Sequence, residues 1–323
     1  MRRVLSRIAT GSGWAGVISV VALSVAITAP AYAQLNTQHL KGGVGLKSGS
    51  QPPPGGYIPA LLYLYSADDV RDRDGNQLPF TANLDAALFG VGYLHVTTKK
   101  ILGGNYAFQV LFPLGANNRI QGTEIDANPG SGLTDSAVVP VNLGWHSKRA
   151  DAQFSYTVYI PTGRYSDGAD DNTGFGMWGN EFDFGSTVYL NEAKQYHAAT
   201  MASIIFSSKK EDSDTQPGSQ LGLEGGVGGD FLKGGLTFGL AYYAAFKLSD
   251  DEIDGLPGVL IRGKNRVFAV GPEATLAIAR KNTVYGFLRV AYFFETYART
   301  ATQGGALFIS GTFLTKPLKI PTP

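Results

Sequence analysis

Cysteine is absent from the 323 residues. That excludes a disulfide framework and any Cys-ligated metal site. Charge of one sign is also missing. Removing Arg2, Arg3 and Arg7 with a leader leaves 24 of the 27 basic side chains against 26 acidic ones, a balance with no nucleic-acid footprint. Histidine is scarce, at four residues. No G-x-S-x-G nucleophile elbow occurs. After residue 27 no apolar run approaches the roughly 20 residues of a transmembrane helix. A chain that crosses a membrane without such helices must close its sheet, because lipid offers backbone N–H and C=O groups no partner.

What is present begins with an export signal. Arg2, Arg3 and Arg7 form a positive head, and Trp14 to Ile27 an apolar stretch of about 14 residues. Ala31-Tyr32-Ala33 fits the small-x-small cleavage pattern, so residues 1–33 are expected to be removed, leaving Gln34 first. An uncleaved helical anchor is the alternative; the short run ending at Pro30 disfavours it. Residues 34–56 are rich in Gly and Pro, and Pro52-Pro53-Pro54 cannot lie in a central strand. This lead-in either lines or plugs the lumen of a barrel, or trails as a periplasmic tail.

Glycine (42), Tyr (16) and Phe (18) are abundant. Twelve strand candidates follow: Tyr57–Tyr65, Leu84–Thr97, Asn105–Pro113, Ala137–His146, Ala152–Ile160, Phe182–Leu190, Tyr196–Ser207, Leu221–Phe231, Gly235–Leu248, Arg266–Ala279, Thr283–Tyr297 and Ala306–Thr315. Gaps after the even-numbered candidates are short. Those after the odd ones, such as Ser66–Asn83, Leu114–Ser136 and Pro161–Glu181, are long and rich in Asp, Gly, Asn and Pro; the last, Ala298–Gly305, is intermediate. Short inner turns and long outer loops are the rhythm of an outer-membrane barrel.

Alternation supports the assignment. Phe154, Tyr156, Val158 and Ile160 share one face; Gln153, Ser155, Thr157 and Tyr159 share the other. Alternation alone fits a soluble barrel as well as a membrane one. The leader, the even strand count and the loop asymmetry select the membrane. The expected fold is therefore all-β, a transmembrane antiparallel β-barrel of about 12 strands over residues 57–315, with a C-terminal extension at 316–323. Tyr63, Tyr65, Tyr156, Tyr159, Tyr242, Tyr243, Tyr292 to Phe294 and Tyr297 lie near strand ends, where aromatic girdles meet the headgroups.

Several stretches carry a family resemblance. They are Pro52-Pro53-Pro54-Gly55 with Tyr57, then Tyr63-Leu64-Tyr65-Ser66-Ala67-Asp68 with Arg71-Asp72 and Asp74-Gly75. Leu143-Gly144-Trp145-His146, Pro161-Thr162-Gly163-Arg164-Tyr165 and Asn265 to Glu273 continue the series. In this order they resemble the outer-membrane family named for the meta-pathway of phenol degradation. The resemblance implies a barrel linked to uptake of small, often aromatic or hydrophobic compounds, and supplies no catalytic residues. The chain departs from the pattern at its end. Such barrels usually finish on an aromatic residue read by the insertion machinery, whereas here Phe313 is followed by Leu314 to Pro323.

Charge is costly on a lipid face, roughly 2–4 kcal/mol for Arg at the midplane. Arg289, Glu295, Glu273, Glu224, Asp230, Asp183, His197 and Gln109 are therefore expected to face the lumen. Tyr285 and Phe287 share the Arg289 face by period-2 counting. These groups either guide a solute or simply pair and fill a narrow lumen. Asp72-Arg73-Asp74-Gly75-Asn76 matches the start of a Ca²⁺ loop, but Asn83 stands where the twelfth-position acid belongs, so a charged turn is expected there. No metal and no soluble cofactor is called for.

The expected role is passive passage of small hydrophobic or aromatic molecules through the outer membrane of a Gram-negative bacterium, without enzymatic activity. The surroundings are outer-membrane lipid and lipopolysaccharide, with the insertion machinery as partner during biogenesis. The alternatives are a barrel acting through its loops as adhesin, receptor or structural protein, and a lipid-modifying enzyme.

Overall fold

The computed structural model describes residues 37–122, 126–127, 131–169, 171–253 and 264–319. The leader and its cleavage point lie outside them. Twelve long strands form the wall: β1 (Gly55–Arg71), β2 (Gln77–Ile101), β3 (Gly104–Gly122), β4 (Ser136–His146), β5 (Ala150–Ile160), β6 (Gly179–Tyr189), β7 (Tyr196–Ser207), β8 (Gln220–Phe231), β9 (Leu236–Lys247), β10 (Arg266–Arg280), β11 (Thr283–Arg299) and β12 (Ala301–Lys319). Each pairs antiparallel with its sequence neighbours, and β1 pairs with β12, so the sheet closes on itself. Closure satisfies the strand edges that lipid would leave bare. Two two-residue strands, Asp126–Ala127 and Gly132–Leu133, pair with β3.

The wall is taller than the alternating pattern indicated. β1, β2 and β3 run 17, 25 and 19 residues, and β10 to β12 run 15, 17 and 19, whereas β4 to β9 have 11 or 12. Most of the expected loop Ser66–Asn83 is therefore strand. Its remnant is a turn at 72–76 in which Asp72 Oδ1 accepts the N–H groups of Asp74 and Asn76, both at 2.8 Å. The carboxylate is engaged by its own backbone, as in an Asx turn. The expected gap 298–305 shrinks to Thr300 alone, with φ 47° and its N–H on the Asp72 carbonyl. β12 runs on to Lys319, so residues 316–319 belong to the wall. The register jumps between Val284 and Gly286 to admit them.

Exposure alternates along the strands. On β6, residues 179, 181, 183, 185, 187 and 189 are buried while Phe182, Phe184 and Val188 are exposed. The apolar side chains thus face outward and the polar ones inward, the reverse of a soluble core. Several aromatics depart from the girdle expectation. Tyr63, Tyr65, Tyr243 and Phe293 point into the lumen, where Phe293 and Phe308 meet edge-on at 6.1 Å. Strand parity decides this: Tyr242 faces out and Tyr243, one residue on, is 1% exposed.

Candidate functional site

The lumen is occupied by the chain's own lead-in. Thr37 starts at the outer end, where its hydroxyl reaches Gln220 (3.4 Å). Pro53 ends at the inner one, its carbonyl accepting the Tyr57 hydroxyl (2.6 Å). Between them residues 38–51 cross the lumen as a strap of turns that joins no strand ladder. The periplasmic-tail alternative is thereby excluded. Glycines at 42 and 45, with φ of 84° and 71°, allow the reversals.

The strap supplies cations and N–H groups; the wall supplies carboxylates. At the outer end Gln38 Nε2 donates to Asp135 Oδ2 (3.2 Å) and the Met177 carbonyl (2.9 Å). Burial pushes the Asp135 carboxyl up, against the donors Phe175 N–H, Gln38 and Gly163 N–H. Next, His39 lies between two acids, Nδ1 at 3.0 Å from both Glu181 oxygens and Nε2 at 3.0 Å from Glu224. A ring that donates from both nitrogens is an imidazolium. Glu224 also accepts the N–H of Gly42 (2.7 Å) and Val44 (3.3 Å). Glu181 takes the Tyr159 hydroxyl at 2.7 Å.

Across the lumen, Arg289 Nη2 donates to Glu273 (2.8 Å) and the Gly42 carbonyl (2.9 Å), and its Nη1 to Gly43 O (3.2 Å). Glu273 holds the Leu46 N–H at 3.0 Å. Glu295 accepts the hydroxyls of Tyr65 and Tyr243, each at 2.8 Å, with Lys41 at 3.8 Å. Lower down, Lys47 pairs with Asp230 (2.7 Å), Ser50 donates to Asp151 (2.9 Å) and Gln51 to Asn142 (2.7 Å).

The strap therefore gathers Arg289, Glu295, Glu273, Glu224 and Asp230 around itself. Asp183 lies behind Glu181, one of the His39 acids, and accepts Ser155 (2.8 Å) and Ser203 (2.6 Å). His197 is fully buried, its Nδ1 3.2 Å from the Gly228 carbonyl; its Nε2 has no partner among the described residues. Gln109 is half-buried in register with Val139, and Phe287 half-buried opposite Thr312. Tyr285 is 44% exposed while Val284 and Gly286 are buried. The bulge at 284–286 breaks the parity that grouped Tyr285 with Arg289.

Glu181 escaped the alternation because the candidate strand began at Phe182, three residues after the start of β6; its i, i+2 spacing to Asp183 carries the signal. His39, Lys41 and Lys47 had none, since their partners lie far along the chain. A close approach reports how tightly the strap seats. A Cβ on Gly49 would collide with the Ser186 backbone on β6. Gly49→Val is therefore expected to unseat the lower strap while leaving the wall's hydrogen bonds intact. Higher conductance in planar bilayers, with unchanged heat-modifiable gel migration, is the expected readout.

Comparison with known proteins agrees with this architecture. A search of curated proteins by sequence gives no match. Among solved structures, an outer membrane channel from Pseudomonas putida F1 superposes with a TM-score of 0.68 at 14% identity, over 86% of this chain and 100% of that one. The translocator domain of autotransporter NalP from Neisseria meningitidis gives 0.43 at 12% identity, over 91% and 97%. The family model described as "Putative MetA-pathway of phenol degradation" matches residues 67–310, from the outer half of β1 to the middle of β12. With a match over most of the closed twelve-strand wall, the chain belongs to this family of outer-membrane β-barrels.

Proposed function

We propose that the barrel is a passive, non-enzymatic conduit for small hydrophobic or aromatic compounds, with the residue 38–51 strap as its gate. The observation that carries this reading is how the strap is held. It is bound by side-chain and N–H contacts to the wall and takes no part in the sheet, so it can leave without breaking a strand pair. Its apolar side chains Leu40 and Leu46 pack on a luminal patch that includes Tyr63, Tyr243, Phe293 and Phe308. Withdrawal would bare an aromatic track beside a row of carboxylates, a surface suited to neutral rings.

Uptake of labelled toluene, phenol, benzoate and octane by cells with and without the protein tests this. Faster entry of the neutral aromatics is expected. Equal uptake of all four, together with reconstituted vesicles that stay sealed to them, would overturn the proposal.

A further inference from the structure

The wall reverses at its inner end in five short turns, and β12 closes there. Each of these six places carries a cation: Lys100, Lys148, Lys194, Lys233, Lys281 and Lys319. Four hold a second one, Lys99, Arg149, Arg280 and Lys316. All are exposed except Lys194, which is half-buried. The same turns hold one acid, Glu192, 3.2 Å from Arg149. Lys194 lies 3.9 Å from Asp151, a buried luminal acid. The other eight cations form no ion pair among the described residues. The acidic side chains outside that set, Glu124, Asp126, Asp170 and Asp254, fall by chain order in outer connections; residues 1–36 and 320–323 contain none.

Lysines alone would mark a solvated rim. The inner turns also hold the three most exposed large apolar side chains among the described residues, Leu102 (85%), Leu232 (76%) and Leu190 (64%). Seven described non-glycine residues have positive φ, and five of them lie here: Leu102, Lys194, Leu232, Lys233 and Lys281, at 51–58°. Left-handed turn positions favour Gly or Asn. The chain keeps Leu and Lys there against that preference, so these turns present an apolar tip beside a cation. Trp145 joins the first two turns. It pairs with the exposed Ala152 on the outward face, and its indole donates to the Leu102 carbonyl (3.0 Å).

Height and distribution decide what meets this rim. The exposed Ile278 stands two residues before Arg280, Leu232 one before Lys233 and Leu318 one before Lys319. At about 3.3 Å per residue, these cations begin within roughly 7 Å of an exposed apolar side chain. The headgroup layer of one leaflet is about 5–8 Å deep, half the difference between a core of about 30 Å and a bilayer of about 40–45 Å. The cations therefore end among lipid phosphates, within reach of their own flexible stems. They also follow the whole circumference, one set to each hairpin. A protein docked from one side would meet one or two sets, whereas the lipid annulus meets all six.

We propose that the inner rim is a binding surface for anionic glycerophospholipid of the inner leaflet, its phosphodiesters held by these cations and the leucine tips set among the glycerol and upper acyl groups. This surface depends on the barrel's orientation, short turns inward, and not on what the lumen carries. Trp145 is the reporter: with Trp178→Phe it is the one tryptophan of residues 34–323. The full barrel is placed in phosphatidylcholine vesicles holding a minority of brominated phosphatidylglycerol, or of brominated phosphatidylcholine, and its fluorescence quenching is compared.

Quenching is expected to report about fivefold enrichment of phosphatidylglycerol beside Trp145, the effect of one cation near the membrane surface. The enrichment should vanish at about 0.5 M NaCl, where screening acts beyond about 4 Å. Lys99→Gln, Lys100→Gln, Lys148→Gln and Arg149→Gln together should erase it while brominated phosphatidylcholine quenches as before. Lys233→Gln with Lys281→Gln, on turns remote from Trp145, should leave it intact. Heat-modifiable gel migration certifies each variant as folded. Equal quenching by the two lipids overturns the proposal, and so does enrichment that survives the fourfold change. Loss in the remote double variant overturns it as well, since a diffuse field of the whole barrel would then replace contact at the rim. Equal quenching joined to salt-sensitive binding of polyglutamate would assign the ring to an acidic periplasmic protein and sink lipid docking.

Discussion

Deleting residues 37–51 is expected to turn the barrel into an open, cation-preferring pore. The wall does not depend on the strap for strand pairing: all twelve wall pairings, including β1 with β12, lie outside it. What the strap does supply is countercharge. His39, Lys41 and Lys47 come from it, whereas Asp151, Glu181, Asp183, Glu224, Asp230, Glu273 and Glu295 come from the wall, with Arg289 on the same surface. Removing it leaves a water-filled lumen dominated by carboxylates, and rings of acidic side chains favour cations. Planar-bilayer recordings under a KCl gradient check both parts: conductance should rise and the reversal potential should shift toward that of K⁺. A deletion barrel that folds and still conducts no more than the full chain would mean that wall side chains alone fill the lumen. The conduit reading would then lose its gate.

The part of this arrangement legible in the sequence is the part written in short-range periodicity. Strands such as β5 and β6 announce themselves by alternation, because one face meets lipid and the other does not, and that contrast repeats every two residues. The same rule places Asp183, Glu224 and Glu273 on one side of their strands, where each is now seen buried. Three things lie beyond it. The first is the reach of β1 and β2 past Ala67, where Asp69 and Arg71 read as loop yet stay paired because the wall rises above the apolar band. The second is the set of bulges, such as the one at 284–286 that takes Tyr285 off the Arg289 face. A bulge inserts residues without changing composition, so nothing in a single sequence marks it. The third is the strap. Gly- and Pro-rich chain has no period, and what orders it is a sequence-distant partner: Glu224 lies 185 positions from His39 and Gly42 247 positions from Arg289.

Arg289→Met is expected to be the most damaging single change in the lumen. The Arg289 side chain is 12% exposed and that of Glu273 3%, so their pairing takes place largely out of water. Arg289 also holds the Gly42 and Gly43 carbonyls, at the point where the strap reverses. Removing it leaves Glu273 with the Leu46 N–H as its one partner among the described residues. Breaking one side of a buried pair costs about 3–5 kcal/mol, because the remaining charge is left uncompensated. Urea unfolding of the barrel in lipid vesicles, followed by Trp145 and Trp178 fluorescence, should show a loss near the lower end of that range. The double change Glu273→Gln with Arg289→Met separates the causes. If the stranded carboxylate is what hurts, the double variant should recover more than half of the loss. If the carbonyl contacts dominate, it should recover none, and the strap should be unseated equally in both variants, seen as raised conductance. A loss below about 1 kcal/mol would place the pair among solvent-screened surface bridges. In that case water already reaches Arg289 with the strap in place, and the constriction must be sought lower, where Lys47 meets Asp230 and Gly49 lies against Ser186.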